Sequence, residues 1–408
     1  MFFMRLRDCL IKRGGGQWWL HHSASSYKVR INEDTLERLS SMLAKGDPAR
    51  MDAEEKFLYD KLSERSMLSR SPATSAELPV LDKSLLDLVD VEFSGVCNLR
   101  CRHCYARMSQ RLMDRDTLDA VVQGVRELEP VTVSLGGGEP LLNPLFKDAV
   151  RAFRGEGARV CVMTNASAVD RDMADFFAEA RVAKATVSLD GFKDHHDRLR
   201  GPGSFEAATA GIRRLAAAGV CVSVTSMVSD ANYSELDAFR SYCRDELGVG
   251  QVRLAQVVSI GRAANEAEDF MLSDENLRAL QDDVGFHEVR KFSSCLPPAG
   301  STFPCGAGVS QCFIAADGGV YACHYFQNIG ETMGRLGPAS LKDLYLEYLK
   351  TGITNNFDPN SLEACAGCAH LARCRGGCRA RAKILKGRWT APDPNLCQLY
   401  LADAASAA

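Results

Sequence analysis

Eleven of the sixteen cysteines in this 408-residue chain fall into two groups, and that distribution limits what the chain can fold into. Three stand at Cys97, Cys101 and Cys104, and eight more run from Cys305 to Cys397. The N-terminus does not read as a secretory signal, because Arg5, Arg7, Asp8, Lys12 and Arg13 interrupt any apolar run. The expectation is a cytoplasmic protein, and disulfides are rare in a reducing cytosol, so cysteines this dense point to metal or redox work. Two partners are not expected. With 49 basic against 52 acidic side chains the net charge is −3, whereas a chain living on phosphate contacts is normally basic. No stretch approaches the roughly 20 apolar residues of a membrane span.

Three regions separate by pattern. Residues 1–75 contain a possible hairpin, Gln17–His22 and Tyr27–Ile31, around Ser23–Ser26. A helix capped near Asn32 carries Leu36, Leu39 and Leu43 on one face, and another after Asp52 is expected to turn Phe57, Leu58 and Leu62 inward. Ser66–Pro79, rich in Ser and Pro, reads as a linker. Residues 86–295 repeat one unit, a short apolar strand, a loop and an amphipathic helix. The strands are read at Leu88–Gly95, Val131–Leu135, Arg159–Thr164, Ala185–Leu189, Val220–Met227 and Gln251–Val258. Between the first two, Leu118, Val121, Val122, Val125 and Leu128 recur at helical period. Six successive βα units predict an α/β fold with a parallel sheet, a partial barrel rather than a closed one of eight strands. Residues 300–402 lack long periodic elements and would need staples.

The sequence Cys97-Asn-Leu-Arg-Cys101-Arg-His-Cys104 follows the first strand. Thiolates hold iron–sulfur clusters, and a 4Fe–4S cluster normally takes four, so three leave one iron open. The motif resembles that of the radical SAM superfamily, whose CxxxCxxC loop follows the first strand of a partial (β/α)6 barrel. The resemblance implies that the open iron binds S-adenosylmethionine (SAM), with His103 standing where an aromatic residue usually lies near the adenine. Gly136-Gly-Gly-Glu-Pro140, Thr164-Asn165 and Ser188-Leu-Asp-Gly191 end the next three strands, so all these segments are expected on one rim. By the same resemblance Gly137, Gly138 and Glu139 contact the methionyl amine, Asn165 belongs to the SAM site, and Ser188 and Arg200 bind the carboxylate.

In the C-terminal region Cys305, Gly318 and Cys323 are followed by Cys365, Cys368, Cys374, Cys378 and Cys397. Two CxxC-type pairs alone suggest a zinc ribbon. The whole order is similar instead to the SPASM domain of radical SAM peptide maturases, which binds two auxiliary 4Fe–4S clusters, and Cys312 supplies an eighth thiolate. Resemblance to the sulfatase-maturase branch assigns Cys305, Cys312, Cys323 and Cys378 to auxiliary cluster I. It assigns Cys365, Cys368, Cys374 and Cys397 to auxiliary cluster II. That branch carries an aspartate base directly after the residue matching Cys323, where this chain has His324; the histidine is either a catalytic base or a hydrogen-bonding residue beside the cluster. Cys161 and Cys221 read as small buried strand residues, Cys295, just before the auxiliary domain, as inert or else as a residue approaching substrate, and His195 and His196 as solvated.

The resemblance implies three 4Fe–4S clusters, SAM, an electron donor of flavodoxin or ferredoxin type and a ribosomally synthesised precursor peptide as substrate. Reductive cleavage of SAM would give a 5′-deoxyadenosyl radical, and the extra clusters suit a net oxidation such as a C–C or C–S crosslink. Residues 1–75 resemble the small α+β, winged-helix-like domain that recognises the leader of such peptides. Sulfatase maturation, small-molecule dehydrogenation and a non-enzymatic iron–sulfur or zinc scaffold remain as alternatives.

Overall fold

In the computed structural model the six apolar segments between residues 88 and 256 are six parallel neighbours in one sheet. The structure describes residues 3–6, 9–14, 17–22, 27–64, 67–71, 80–82, 86–107, 110–265, 270–280, 305–354, 357 and 361–401. The chain divides into two compact units, Met1–Leu85 and Leu86–Ala408.

In the first unit, β1 (Phe3–Leu6) pairs antiparallel with β5 (Leu68–Ser71). The strands β2 (Cys9–Gly14), β3 (Gln17–His22), β4 (Tyr27–Ile31) and β6 (Val80–Asp82) form a second sheet in the order β4-β3-β2-β6. The expected hairpin is β3–β4, with Trp18 opposite Ile31 and His22 opposite Tyr27. Leu68–Ser71 corrects the linker reading, because a four-residue edge strand is too short to leave a period; residues 72–79 lie outside the described ones. Two helices, Glu33–Lys45 and Ala53–Ser63, place Leu39, Met42, Leu43 and Leu62 in a core with Ile11, Leu20 and Ile31. Asn32 caps the first by accepting from Thr35 N, and Asp52 and Glu55 form a capping box on the second. Phe57 does not turn inward. It is 61% exposed, with Lys61 Nζ 5.8 Å from its ring.

In the second unit, β7 (Leu88–Ser94), β8 (Thr132–Gly137), β9 (Arg159–Thr164), β10 (Lys184–Ser188), β11 (Val222–Val228) and β12 (Gln251–Gln256) lie side by side in sequence order. Helices Arg115–Leu128, Phe146–Gly155, Arg171–Glu179, Ser204–Ala217 and Leu236–Asp245 alternate with them. The first buries Leu118, Val121, Val125 and Leu128, the face its period marked, and starts where Asp114 accepts from Thr117 N. Val91, Val133, Leu135, Val160, Val162, Val187 and Val224 share the core. Parallel strands covered in this way are buried on both faces, hence their near-continuous apolar runs.

The cysteine-rich region has more order than its composition suggests. Strand β13 (Gln311–Ile314) pairs parallel with β7, and β14 (Gly319–Tyr321) and β15 (Gly334–Arg335) extend the sheet antiparallel to nine strands. This covers the edge that β7 would otherwise expose. Helices His324–Ile329, Leu341–Thr351, Arg379–Lys386 and Pro394–Leu401 follow. Elements of two to four residues fall below the window in which periodicity is legible.

Candidate active site

Because β7 to β10 run parallel, the loops after them meet at one end of the sheet. The Cys97–Cys104 loop is tied to two later elements. Arg102 N donates to Leu199 O at 2.8 Å, and Arg262 donates through N to Cys104 O and through Nε to Cys101 O, both at 2.9 Å. Burial pushes the Cys97 thiol up, and the charges of Glu139, Cys101 and Cys104 add to this, so the three thiols stand within electrostatic reach of one another. Donors already face two of them: Asn165 Nδ2 lies 3.9 Å from Cys97 Sγ, and Arg200 Nη1 3.8 Å from Cys101 Sγ.

Gly136–Glu139 runs alongside the end of β7, where Gly138 N donates to Ser94 O at 2.6 Å and Glu139 N to Val96 O at 2.9 Å. Gly137 has φ +116°, and a Cβ there would collide with the Ser94 carbonyl, so this approach admits only glycine. Gly137 is exposed and Gly138 half-buried, but the Glu139 side chain turns inward and is fully buried. Its Oε1 accepts from Thr164 Oγ1 at 2.6 Å and Leu141 N at 3.3 Å, and its Oε2 from Asn165 N at 2.8 Å. Burial raises its pKa to about 7 against those three donors. Glu139 thus joins the ends of β8 and β9, and the glycine backbone is the outward part of the segment.

Arg200 ends the helix Lys193–Arg200 and turns back to the cysteine loop. Its Nε donates to Asp190 Oδ2 at 2.6 Å, and its Nη2 lies 3.3 Å from His103 Nε2. Asp190 is fully buried and also accepts from Met227 N at 2.9 Å. Burial opposes its charge most strongly, but Arg200, His103 and His196 together outweigh that and hold the carboxyl well below the usual range. Burial and Arg200 lower His103 to about 4, leaving it neutral at pH 7. Its Nδ1 is buried without a hydrogen-bond partner among the described residues. Ser188, half-buried, ends β10 on the same rim.

His324 opens the helix His324–Ile329, and its ring centroid lies 5.2 Å from that of Tyr105, the residue after Cys104. The C-terminal region therefore reaches the cysteine loop. Cys365, Cys368, Cys374 and Cys397 converge. Burial raises Cys374 to about 11, with Cys397 and Cys365 adding to this, and Cys397 in turn feels Cys365 and Cys368. Cys305, Cys323 and Cys378 pack against one apolar cluster around Phe326 and Leu362. Cys312 stands apart from them, contrary to the expected ligand set. It is 1% exposed within the barrel core, on the opposite face of β13 from Phe313, the neighbour that packs toward His324. Strand alternation fixes this, since successive side chains point to opposite faces. Cys295 lies outside the described residues.

Comparison with known proteins bears on these observations. Residues 91–242 match the family model of the Radical SAM superfamily. The chain carries a radical SAM domain. The mycofactocin maturase MftC of Mycobacterium ulcerans is 29% identical over 351 residues, 77% of this chain and 88% of the relative. The AdoMet-dependent heme synthase of Oleidesulfovibrio alaskensis is 26% identical over 349 residues, covering 76% and 86%. Among solved structures, Streptococcus suis SuiB bound to precursor peptide SuiA superimposes with a TM-score of 0.66 at 14% identity, covering 92% of this chain and 96% of that one. The anSMEcpe structure with bound AdoMet gives 0.61 at 19%, covering 78% and 95%.

The radical SAM domain fits the cluster and cofactor its family uses. Three neighbouring thiols with N–H donors against two of them, and an unpartnered buried ring nitrogen on His103, suit a thiolate-held cluster with an adjacent polar ligand. Among the described residues, no three Cys, His, Asp or Glu side chains gather about a single ion. A four-iron cluster spreads its thiolates wider than one ion does. Sequence reasoning passed over Asp190, because an Asp after a strand is an ordinary cap; its signal was Arg200, ten residues on. It also misjudged His195 and His196, which are 8% and 1% exposed, with His196 Nδ1 accepting from Asp190 N at 2.9 Å. Cys161 is half-buried and Cys221 exposed, not core residues. Arg262 left no signal, since nothing in sequence ties it to Cys101.

Proposed function

We propose that the protein modifies a ribosomally synthesised precursor peptide by radical SAM chemistry, forming a C–C or C–S crosslink. The reading rests most on the reach of the similarity. A mycofactocin maturase aligns over 77% of the chain, and the fold likeness to a peptide-bound SuiB covers 92%, more than residues 86–408 alone make up. Cys97, Cys101 and Cys104 hold the cluster that, when reduced, supplies an electron to SAM and so generates the hydrogen-abstracting radical. Exposed Gly137 and half-buried Gly138 offer backbone to the methionyl end, with Ser188 beside them, and buried His103 borders the adenine side. Asp190 fixes the Arg200 guanidinium, which steadies Cys101 and, with Ser188, faces the methionyl carboxylate. Asn165 braces Cys97.

In this reading Cys365, Cys368, Cys374 and Cys397 hold one auxiliary cluster and Cys305, Cys323 and Cys378 the other, with Cys312 a core residue. These clusters take up the electron that a crosslink releases, His324 stands between them and the SAM site, and a flavodoxin- or ferredoxin-type donor primes the first cluster. Residues 1–75 recognise the leader.

The similarity to a heme synthase favours a second reading, a tetrapyrrole substrate. Anaerobically reconstituted enzyme given SAM and a reductant is expected to release 5′-deoxyadenosine and to hold about 12 Fe per chain. With a precursor peptide encoded beside its gene, it is expected to yield a product lighter by two hydrogens. The Cys97/Cys101/Cys104→Ala variant is expected to lose roughly a third of its iron and all SAM cleavage. SAM-dependent conversion of a heme-precursor tetrapyrrole with no change in the peptide would select the second reading.

A further inference from the structure

Two arginines of the helix Arg379–Lys386 are buried in the cysteine-rich region, and among the described residues only Arg381 is hydrogen-bonded to a carboxylate. Arg381 donates to Asp393 through Nε at 2.7 Å and Nη2 at 2.6 Å, and Asp393 also accepts from Cys378 N at 2.7 Å. Arg379 is as buried, with no exposed surface. Its Nη1 donates to the carbonyls of Trp389 and Ala391, both at 2.8 Å, and its Nε to that of Gly377 at 3.3 Å. Its Nη2 is buried and makes no hydrogen bond among the described residues. Gly376 preserves the space, because a Cβ there would lie 2.6 Å from Leu362 Cδ1 and 3.4 Å from the guanidinium carbon and Nη2.

A guanidinium this deep, held mostly by carbonyls, needs negative charge nearby. Burial works against its charge, and the groups that offset this are Asp393, Cys378, Cys365 and Cys374. Asp393 is already engaged by Arg381, which leaves Cys378 of the first auxiliary set and Cys365 and Cys374 of the second to supply negative charge once they ligate iron as thiolates. A 4Fe–4S cluster held by thiolates is negative in both oxidation levels, more so when reduced. Net charge and hydrogen bonds to sulfur are what set its potential.

We propose that Arg379 is a counter-cation shared by the two auxiliary clusters, its buried Nη2 left free of protein acceptors among the described residues, and that it raises their reduction potentials. This rests on the reading that residues 305–397 hold two clusters. It makes Arg379 a positioning residue for electron uptake. A buried cation stabilises the added electron more than a surface one, because little water screens it.

The test uses holoenzyme carrying Cys97/Cys101/Cys104→Ala, so that only auxiliary clusters titrate. Arg379→Gln is expected to shift the oxidised–reduced equilibrium at least tenfold toward the oxidised form, about 59 mV downward for one electron. Arg379→Lys, which keeps the charge but not the fork, is expected to shift it less. Should the Gln variant not hold iron, the unaltered Arg379 is read directly: reduced protein labelled with 15N-arginine is expected to show a 15N coupling to the cluster spin by pulsed EPR. Unmoved potentials at full iron content, or no 15N coupling, would overturn the role of Arg379 alone. Iron at no more than background in the triple-alanine protein would remove the auxiliary clusters and the proposal with them.

Discussion

Asp190 is the residue on which most of the rim converges, although it ligates nothing. It receives Arg200 on one oxygen and the Met227 amide on the other, and its own amide donates to His196. Asp190→Asn would leave a buried guanidinium without its counter-charge, and breaking a buried pair from one side costs about 3–5 kcal/mol. We expect a clear fall in Tm with Asp190→Asn, measured by calorimetry on the holoenzyme, and a weaker apparent affinity for SAM. The double variant Asp190→Asn/Arg200→Met is expected to recover part of the stability but not the affinity, because the uncompensated charge goes while the donor at Cys101 does not return. Additive losses in the double variant would show that the pair is not coupled. Glu139 poses a related test. Its carboxylate accepts three hydrogen bonds, and in Glu139→Gln the amide would point a donor at one of those donors, which costs roughly 1–3 kcal/mol. Thermal unfolding of that variant, relative to wild type, checks it.

At the scale of elements, the helix pair of the first unit is joined by Glu55, which accepts from Lys45 Nζ at 2.6 Å and Ser41 Oγ at 2.6 Å. Those hydrogen bonds lower its pKa to about 2 from 4.5. A depressed carboxylate gives stability that is full above the unfolded value and is lost as pH falls through the folded one. The first unit is therefore expected to weaken between about pH 4.5 and pH 2, and Glu55→Gln to flatten that part of the profile, as followed by circular dichroism. Legibility in the sequence tracked length except at β2 (Cys9–Gly14), whose six residues were missed because Lys12, Arg13 and Gly14 break its apolar run. The six barrel strands and the helix Arg115–Leu128 were readable because five or more residues kept one pattern between turn signals. β5, β13, β14 and β15 were not, since two to four residues carry no period. Phe57 is apolar and adjoins Leu58, which invites an inward reading, but Leu58 and Leu62 share a face at four residues' spacing and Phe57, five residues from Leu62, stands off it and is exposed. Local pattern does not encode strand pairing, which explains Cys312. Its count among eight thiols suggested a ligand, while the pairing of β13 with β7 puts it in the core.

For the whole molecule, the proposed function divides at Leu85, with substrate choice assigned to the first unit and chemistry to the second. The second unit holds the rim, every described residue proposed for the SAM site and all eleven grouped cysteines, and its core draws on its own strands and helices. The first unit has a separate core and a sheet whose outer strands are β4 and β6. Edge strands with unpaired backbone groups take up extended peptides, the backbone giving affinity and the alternating side chains specificity. Removing residues 1–85 is expected to leave iron content and uncoupled 5′-deoxyadenosine release near wild type. The same truncation is expected to depress turnover of a full-length precursor at least tenfold, through KM, and to leave a leaderless core peptide at high concentration almost unaffected. Kinetics on both peptides, with iron counted in each preparation, decide the matter. Equal losses on the two peptides would mean that the first unit supports the catalytic unit and does not select its substrate.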